Sequence, residues 1–226
     1  MTPEILELGL VEFEEAELLQ RELSLKRRQG EIPDTLLLLE HPPVVTMGRR
    51  DSNEDLRVPE GVLEREGIRL VRTDRGGRLT YHGPGQLIGY FIFALGDTTI
   101  PHFVSQIEEL LIRTLHHFDI RGERDPVYPG VWVDRKKIAA LGLHFEKGIS
   151  RHGFALNVSL DLKPYTFIHP CGIRDRGVTS LSDRLKRPVQ IDEVKERMIS
   201  EIDSVFRPDH VPIRPGSGGS AATIYT

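Results

Sequence analysis

Three strand-like runs follow one another in the middle of this chain with only tight turns between them. They are "GVWVD" (130–134), "KIAALGLHFE" (137–146) and "GFALNVSL" (153–160), and their turns carry charged residues and Gly148. Strands joined this closely favour antiparallel pairing, because a parallel connection needs a dozen or more residues. Other apolar runs are grouped as well. "ILELGLV" (5–11) reads as a strand, and "TLLLLE" (35–40) and "VVTMG" (44–48) are strand-length runs split by "HPP". "IRLVRTD" (68–74) and "LIGYFIFAL" (87–95) flank a glycine-rich stretch, "RGGRLTYHGPGQ" (75–86).

Helical periodicity occupies fewer places. Residues 13–30 place Phe13, Ala16, Leu19 and Leu23 on one face, with Gly30 as a stop. A short helix is predicted near 60–66. Another runs from Pro101 to about Phe118, with Val104, Ile107, Leu111 and Leu115 at core spacing. Ser180 opens a single turn, "SLSDRL", and 191–206 places Val194, Met198, Ile202 and Val205 inward. Strict alternation of strand and helix is absent. The fold class is therefore α+β, a mixed or largely antiparallel sheet with packed helices. One domain is expected over 1–206. The Pro- and Gly-rich segment 207–226 has no periodicity and is expected to be a mobile tail.

Composition excludes several function classes. The net charge of −4 argues against broad nucleic-acid binding. No apolar run approaches a membrane span, and the start, "MTPEILELGL", lacks the pattern of a secretory signal. A single cysteine in 226 residues rules out an internal disulfide, so a reducing cytoplasm is the expected compartment. The cations are clustered at 26–28, 49–50, Arg72, Arg75, 135–137, Arg174 and Arg176. Together they suit a local docking face for an acidic partner.

"GPGQLIG" (83–89) has the wrong glycine spacing for a dinucleotide loop, and a strand follows where a helix should begin. "RGGRLTYHG" is different. Its adjacent glycines let a ligand lie against bare backbone, and Arg75, Thr80, Tyr81 and His82 add polar groups, as in a substrate-binding loop. Nine histidines with one thiol and no HExxH make a zinc site improbable.

Cys171 is the lone thiol, and a lone cysteine is most often a small buried hydrophobe. "HPCGI" argues otherwise. Pro170 and Gly172 force an irregular backbone, Gly172 lets an acyl oxygen approach N–H donors, and Arg174 and Arg176 make the locality electropositive. The activating group is His82, His152 or His169, or Lys137 at the edge of an apolar strand. Strand alternation points Lys137 with Ala139, Leu141 and Leu143.

The stretches "EHPPVVTMGRR", "RGGRLTYHGPGQLIGY", "GVWVDRKKIAALGL", "RHGFALNVSLDL", "FIHPCGI" and "GVTSL" together resemble the lipoyl(octanoyl) transferases and cover roughly residues 35–182. The resemblance implies the fold of biotin and lipoate protein ligase catalytic domains. It implies transfer of an octanoyl group from acyl carrier protein to a lysine of a lipoyl domain, through an acyl-Cys171 thioester with Lys137 as partner. It maps acyl binding onto Arg75, Gly76, Gly77, Arg78, Leu79, Thr80, Tyr81 and His82, onto Ala140, Leu141 and Gly142, and onto Gly153, Phe154 and Ala155. No metal or other cofactor is implied. The expected acceptors are the lipoyl domains of 2-oxoacid dehydrogenase complexes and the glycine cleavage H protein. An ATP-dependent lipoate or biotin ligase shares the fold but leaves Cys171 unexplained. A transferase between lipoyl-type domains is the nearer variant.

Overall fold

The run Thr35–Glu40 (β2) has no polar alternation, and Leu36 to Leu39 are all buried. Such a strand needs apolar cover on both faces. In the computed structural model, which describes residues 2–50 and 53–206, β2 lies inside a seven-stranded sheet and receives that cover. Leu36 and Leu38 enter a core shared with two helices, α3 (Ile100–His116) and α5 (Ile191–Phe206). Leu37 and Leu39 enter the opposite core, under α1 (Phe13–Gln29).

The large sheet runs in the order β1 (Glu4–Leu10), β2, β6 (Gln86–Ile92), β10 (Ile149–Asn157), β9 (Lys136–Glu146), β8 (Gly130–Val133) and β7 (Glu123–Arg124). Only the β1–β2 pair is parallel. A smaller sheet, β4 (Arg69–Arg72), β3 (Val44–Met47) and β5 (Leu79–His82), closes over its own core with Leu63 of α2 (Glu60–Arg65) and with Tyr165 and Ile168. The α+β class is as expected. The helices also fall where periodicity puts them. Gly30 ends α1 at φ 77°, and the Ser180 hydroxyl accepts the Asp183 N–H at 3.1 Å to open α4 (Leu181–Leu185). The expected tail, 207–226, lies outside the described residues.

Beside the two-residue β7, which the sequence reading did not contain, two strands depart from it. The second half of the glycine-rich stretch is not loop but β5, buried along its length. Strand β10 begins at Ile149 rather than Gly153, because its polar residues are buried with partners. The Ser150 hydroxyl donates to the Phe91 carbonyl at 2.7 Å, and Arg151 pairs with Asp74 at 2.8 Å. Polar side chains satisfied in this way hide a strand from any reading by hydropathy.

Histidines fill the junction between α1 and the two sheets. His41 donates through Nδ1 to the Val11 carbonyl at 2.6 Å, so its Nε2 accepts the Tyr90 hydroxyl at 2.7 Å. His82 bonds Gln86 Oε1 through Nδ1 at 2.8 Å and lies stacked on Phe13, 6.2 Å between centroids. Burial disfavours the charged form of both rings. It pushes His41 down to about 4, pushes His82 well below its ordinary value, and also lowers His152 despite the nearby Asp74.

These histidines bind protons more readily in the unfolded chain than in the folded one. Their contribution is therefore complete above about pH 6.5 and is lost as pH falls toward 4. For His41 alone it is on the order of 3 kcal/mol. The thermal unfolding midpoint is expected to drop steadily between pH 7 and pH 5. A midpoint that stays level across that interval contradicts neutral, buried rings.

Candidate active site

Register builds the floor of a cleft on the α1 side of the large sheet. Tyr90, Gly153 and Gly142 form one row across β6, β10 and β9. Ile88, Ala155, Ala140 and Gly130 form the next, ending on β8. Small residues at the centre of both rows leave a trough. A Cβ on Gly153 would sit 2.2 Å from the Gly89 carbonyl oxygen, so the backbone is already packed to its limit there. The empty space along the cleft, the part open to solvent included, is about 440 Å³. Leu141 and Phe154 reach it from the neighbouring positions.

The far wall comes from the segment 75–82. Alternation along β5 turns Thr80 and His82 into the cleft and sends Leu79 and Tyr81 into the small core. Arg75 and Gly77 line the cleft. The Arg75 guanidinium folds its own loop, donating through Nη2 to the carbonyl oxygens of Thr46 at 2.7 Å and Arg78 at 2.8 Å. Gly76 donates its N–H to the Leu143 carbonyl at 2.9 Å, which docks the loop on β9. Arg78 turns away to Asp55, 2.5 Å from Nε to Oδ2, and its side chain lies against Gly172. The segment thus divides into residues that face the cleft and residues that hold its wall.

Cys171 lines the cleft from a tight turn, Pro170–Gly172. Its φ is 57°, a region that costs a side chain of this kind about 1 kcal/mol or more and that tends to be kept at functional sites. Gly172 follows at φ 72°. The N–H groups of Gly172 and Ile173 are committed to the carbonyls of His169 and Pro170, at 2.9 and 3.0 Å. They close the turn and so do not themselves stand open toward an acyl oxygen.

Lys137 reaches the same place by a slip in register. Val131 pairs with Ala139, but the next residue, Trp132, pairs with Lys137, which leaves Ile138 as an extra residue in β9. Ile138 and Ala139 both enter the α3/α5 core. The bulge therefore takes Lys137 off the face of Ala139, Leu141 and Leu143, where plain alternation had placed it, and puts it on the cleft side. Its Nζ donates to the Pro129 carbonyl at 3.1 Å and lies 3.7 Å from Cys171 Sγ and 4.9 Å from the Trp132 ring centroid. Lys137 is only 6% exposed, so these contacts are what make its charge tolerable.

Two of the three histidine candidates are engaged elsewhere, and His169 precedes the cysteine turn, half-buried, with its N–H on the Asp55 carbonyl at 2.7 Å. His82 is held by Gln86, and His152 Nε2 bonds Asp74 Oδ1 at 2.9 Å. Arg176 pairs with Asp125 and lies 5.1 Å over the Trp132 ring, so it ties the cysteine segment to the loop before β8. Arg174 is exposed, as are Arg49 and Arg50 at the rim, where their N–H groups bond the carbonyls of Arg75 and Gly77. The basic clusters are thus not one face. Arg75 and Lys137 are buried, and Lys26 and Arg27 pair with Glu22 and Asp34.

Glu17, Asp74 and His152 place ligand atoms within 4.8 Å of one another. Asp74 already bonds Arg151 at 2.8 Å and Arg21 at 3.2 Å, so the chain's own cations hold this carboxylate. Its carboxyl lies well below the usual range, chiefly through the His152 bond. Sequence reasoning missed Phe13 and Tyr90 as cleft residues, and named His152 only as a partner for the thiol. In sequence each is an ordinary core position of a helix or strand, and only the packing of α1 against the sheet turns it toward the cleft.

Residues 13–203 match the lipoyl protein ligase A/B catalytic domain. An octanoyltransferase of Alkaliphilus metalliredigens is 46% identical over 208 residues, covering 91% of this chain and 95% of the relative. One of Rubrobacter xylanophilus is 49% identical, covering 88% and 90%. Among solved structures, a lipoate-protein ligase A bound with ATP superposes with a TM-score of 0.75 at 21% identity, covering 91% of this chain and 85% of that one. At that identity the likeness speaks for the fold. With the match over 13–203 and relatives this similar over most of their length, the chain belongs to the lipoyl protein ligase A/B catalytic-domain family, among its octanoyltransferases.

Proposed function

We propose that this enzyme transfers an octanoyl group from acyl carrier protein to a lysine of a lipoyl domain by way of a Cys171 thioester. The observation that carries this reading is the 3.7 Å approach of Lys137 Nζ to Cys171 Sγ at the end of a cleft floored by small residues. The ammonium stabilises a thiolate beside it. The thiolate attacks the carbonyl of the incoming thioester and forms a new C–S bond. The bond to the phosphopantetheine sulfur breaks, and that sulfur leaves with the Lys137 proton. Lys137 is then a neutral amine. The target lysine, arriving as its own neutral amine, attacks the acyl-cysteine. A C–N bond forms, Cys171 departs as thiolate, and the proton released from nitrogen goes to Lys137.

Thioester exchange is nearly neutral in free energy, and amide formation from a thioester runs downhill. Neither step calls for a nucleotide or a metal, so the reading assigns no cofactor. The acyl chain itself supplies the binding energy. Seven carbons beyond the carbonyl, at about 0.8 kcal/mol each, amount to roughly 5 to 6 kcal/mol when buried in the trough. Among the described residues no helix is long and apolar enough to cross a membrane. The reading places the enzyme in the cytoplasm, with lipoyl domains of 2-oxoacid dehydrogenase complexes and the glycine cleavage H protein as acceptors. Arg49, Arg50 and Arg174 stand exposed at the rim, where an acidic carrier would approach.

Intact-protein mass spectrometry after mixing with octanoyl-acyl carrier protein is expected to show one hydroxylamine-labile octanoyl adduct on the wild type and none on Cys171→Ser. An undiminished adduct on the serine variant removes the proposed intermediate. Lys137→Ala is expected to slow acylation by about 100-fold at pH 7, in the range of general acid–base effects, with the deficit shrinking as pH rises. A deficit that is the same at every pH removes Lys137 from proton transfer. Reversing Arg49 and Arg50 to glutamate is expected to flatten the salt dependence of kcat/KM with the carrier protein and to leave turnover of a small octanoyl thioester unaltered. An unchanged salt slope removes that pair from docking.

A further inference from the structure

A buried carboxylate that the transfer chemistry does not use lies behind Lys137. Glu108 belongs to α3, whose neighbouring turns bury Val104, Ile107 and Leu111, and it is 7% exposed. A carboxylate in that position needs partners. Its Oε1 accepts the Gly130 N–H at 3.0 Å, and its Oε2 lies 3.4 Å from Arg124 Nε. The peptide group that supplies this N–H joins Pro129 to Gly130. The carbonyl of the same group accepts Lys137 Nζ at 3.1 Å.

One amide therefore stands between a carboxylate and an ammonium, hydrogen-bonded on both sides. Bonds in series through an amide polarise one another, so a carboxylate on the N–H makes the carbonyl oxygen a stronger acceptor. The arrangement is closely packed. Gly130 has φ 127°, and a Cβ there would sit 2.4 Å from the Ala139 carbonyl oxygen and 3.5 Å from Lys137 Cε. Burial raises the Glu108 carboxyl above its ordinary value, opposed by the Gly130 N–H and by the charges of Arg124 and Lys137.

We propose that Glu108 is a positioning residue for the reaction, acting through the Pro129–Gly130 amide to hold Lys137 Nζ beside Cys171 and to favour the ammonium–thiolate pair. The proposal rests on the transfer reading above. The charged groups around the relay come from four elements. Cys171 faces Lys137 from its turn, and Glu108 lies behind the amide on α3. Arg124 of β7 is shared with Glu109 at 2.7 Å, and Arg176 over Trp132 is paired with Asp125. Lys136, next in sequence, is exposed. Both arginines thus have a second carboxylate of their own. Glu108 is the carboxylate that reaches the Lys137 acceptor. Its negative charge and the lysine's positive one act on each other, which stabilises the proton on nitrogen.

The test is the pH dependence of single-turnover acylation of Cys171 by octanoyl-acyl carrier protein. Glu108→Gln keeps an acceptor for Gly130 and removes the charge. It is expected to slow acylation about tenfold at pH 7 and to move the alkaline limb down by about one pH unit, the size of a single nearby charge effect. A Gln variant whose profile superimposes on the wild type overturns the proposal. A second reading uses the wild type alone and does not depend on a variant folding. The Gly130 amide resonance should titrate together with the Cys171–Lys137 pair, and a Gly130 signal that stays flat through that titration overturns the relay. Wild type that forms no adduct on Cys171 would instead defeat the transfer reading itself, so the two failures are distinct.

Discussion

The contact between Lys137 and Cys171 constrains more of this molecule than any other. Neither residue arrives there by regular structure. The lysine needs an extra residue in β9 to leave the core face, and the cysteine needs a left-handed backbone in a turn between Pro170 and Gly172. Surrounding pieces hold both irregularities. The Lys137 N–H and carbonyl bond Gly177 and Thr179, so the chain beyond the cysteine is laced to the lysine's own backbone. Arg176 spans to Asp125 and covers Trp132, whose ring also carries the lysine. Strain and a buried charge persist only where many neighbours agree on the geometry.

The cleft depends on a different economy. Its floor is backbone, because glycine and alanine recur in register on three adjacent strands. Part of its wall is backbone too, where Arg75 spends its hydrogen bonds on the loop that carries it, and the side chains of Thr80 and His82 supply the rest. A surface of this kind offers an alkyl chain area without side-chain entropy to lose. Burial disfavours the charged form of the nearby histidines His41, His82 and His152, so they add little charge to this side of the sheet.

Much of this was legible in the order of residues. The grouped strands pointed to a mixed sheet, the helix faces matched the buried positions, and "HPCGI" singled out its cysteine. Where reading by pattern failed, the failures share a cause. Residues 150–152 are polar yet buried, since Phe91, Asp74 and the α1 residue Gln20 supply hydrogen-bond partners from a distance in sequence. Leu79 and Tyr81 looked like part of a binding loop, but they alternate with Thr80 and His82 on a strand and face the other way. Arg176 looked like a free positive charge beside the thiol, and a partner fifty-one positions distant neutralises it. In each case the deciding partner is remote in sequence.

The sequence by itself determined the class of fold, the family and the position of the one thiol, because these follow from local periodicity, composition and residues close together in the chain. Only the tertiary structure decided how Lys137, which the family resemblance had named, comes to face that sulfur and what lies behind it. A single inserted residue in a strand reverses the direction of a side chain, and pairing register between strands has no local signature. The same holds for Glu108. On its helix it is one acid among several, and it acquires a role only when Gly130 is packed against it.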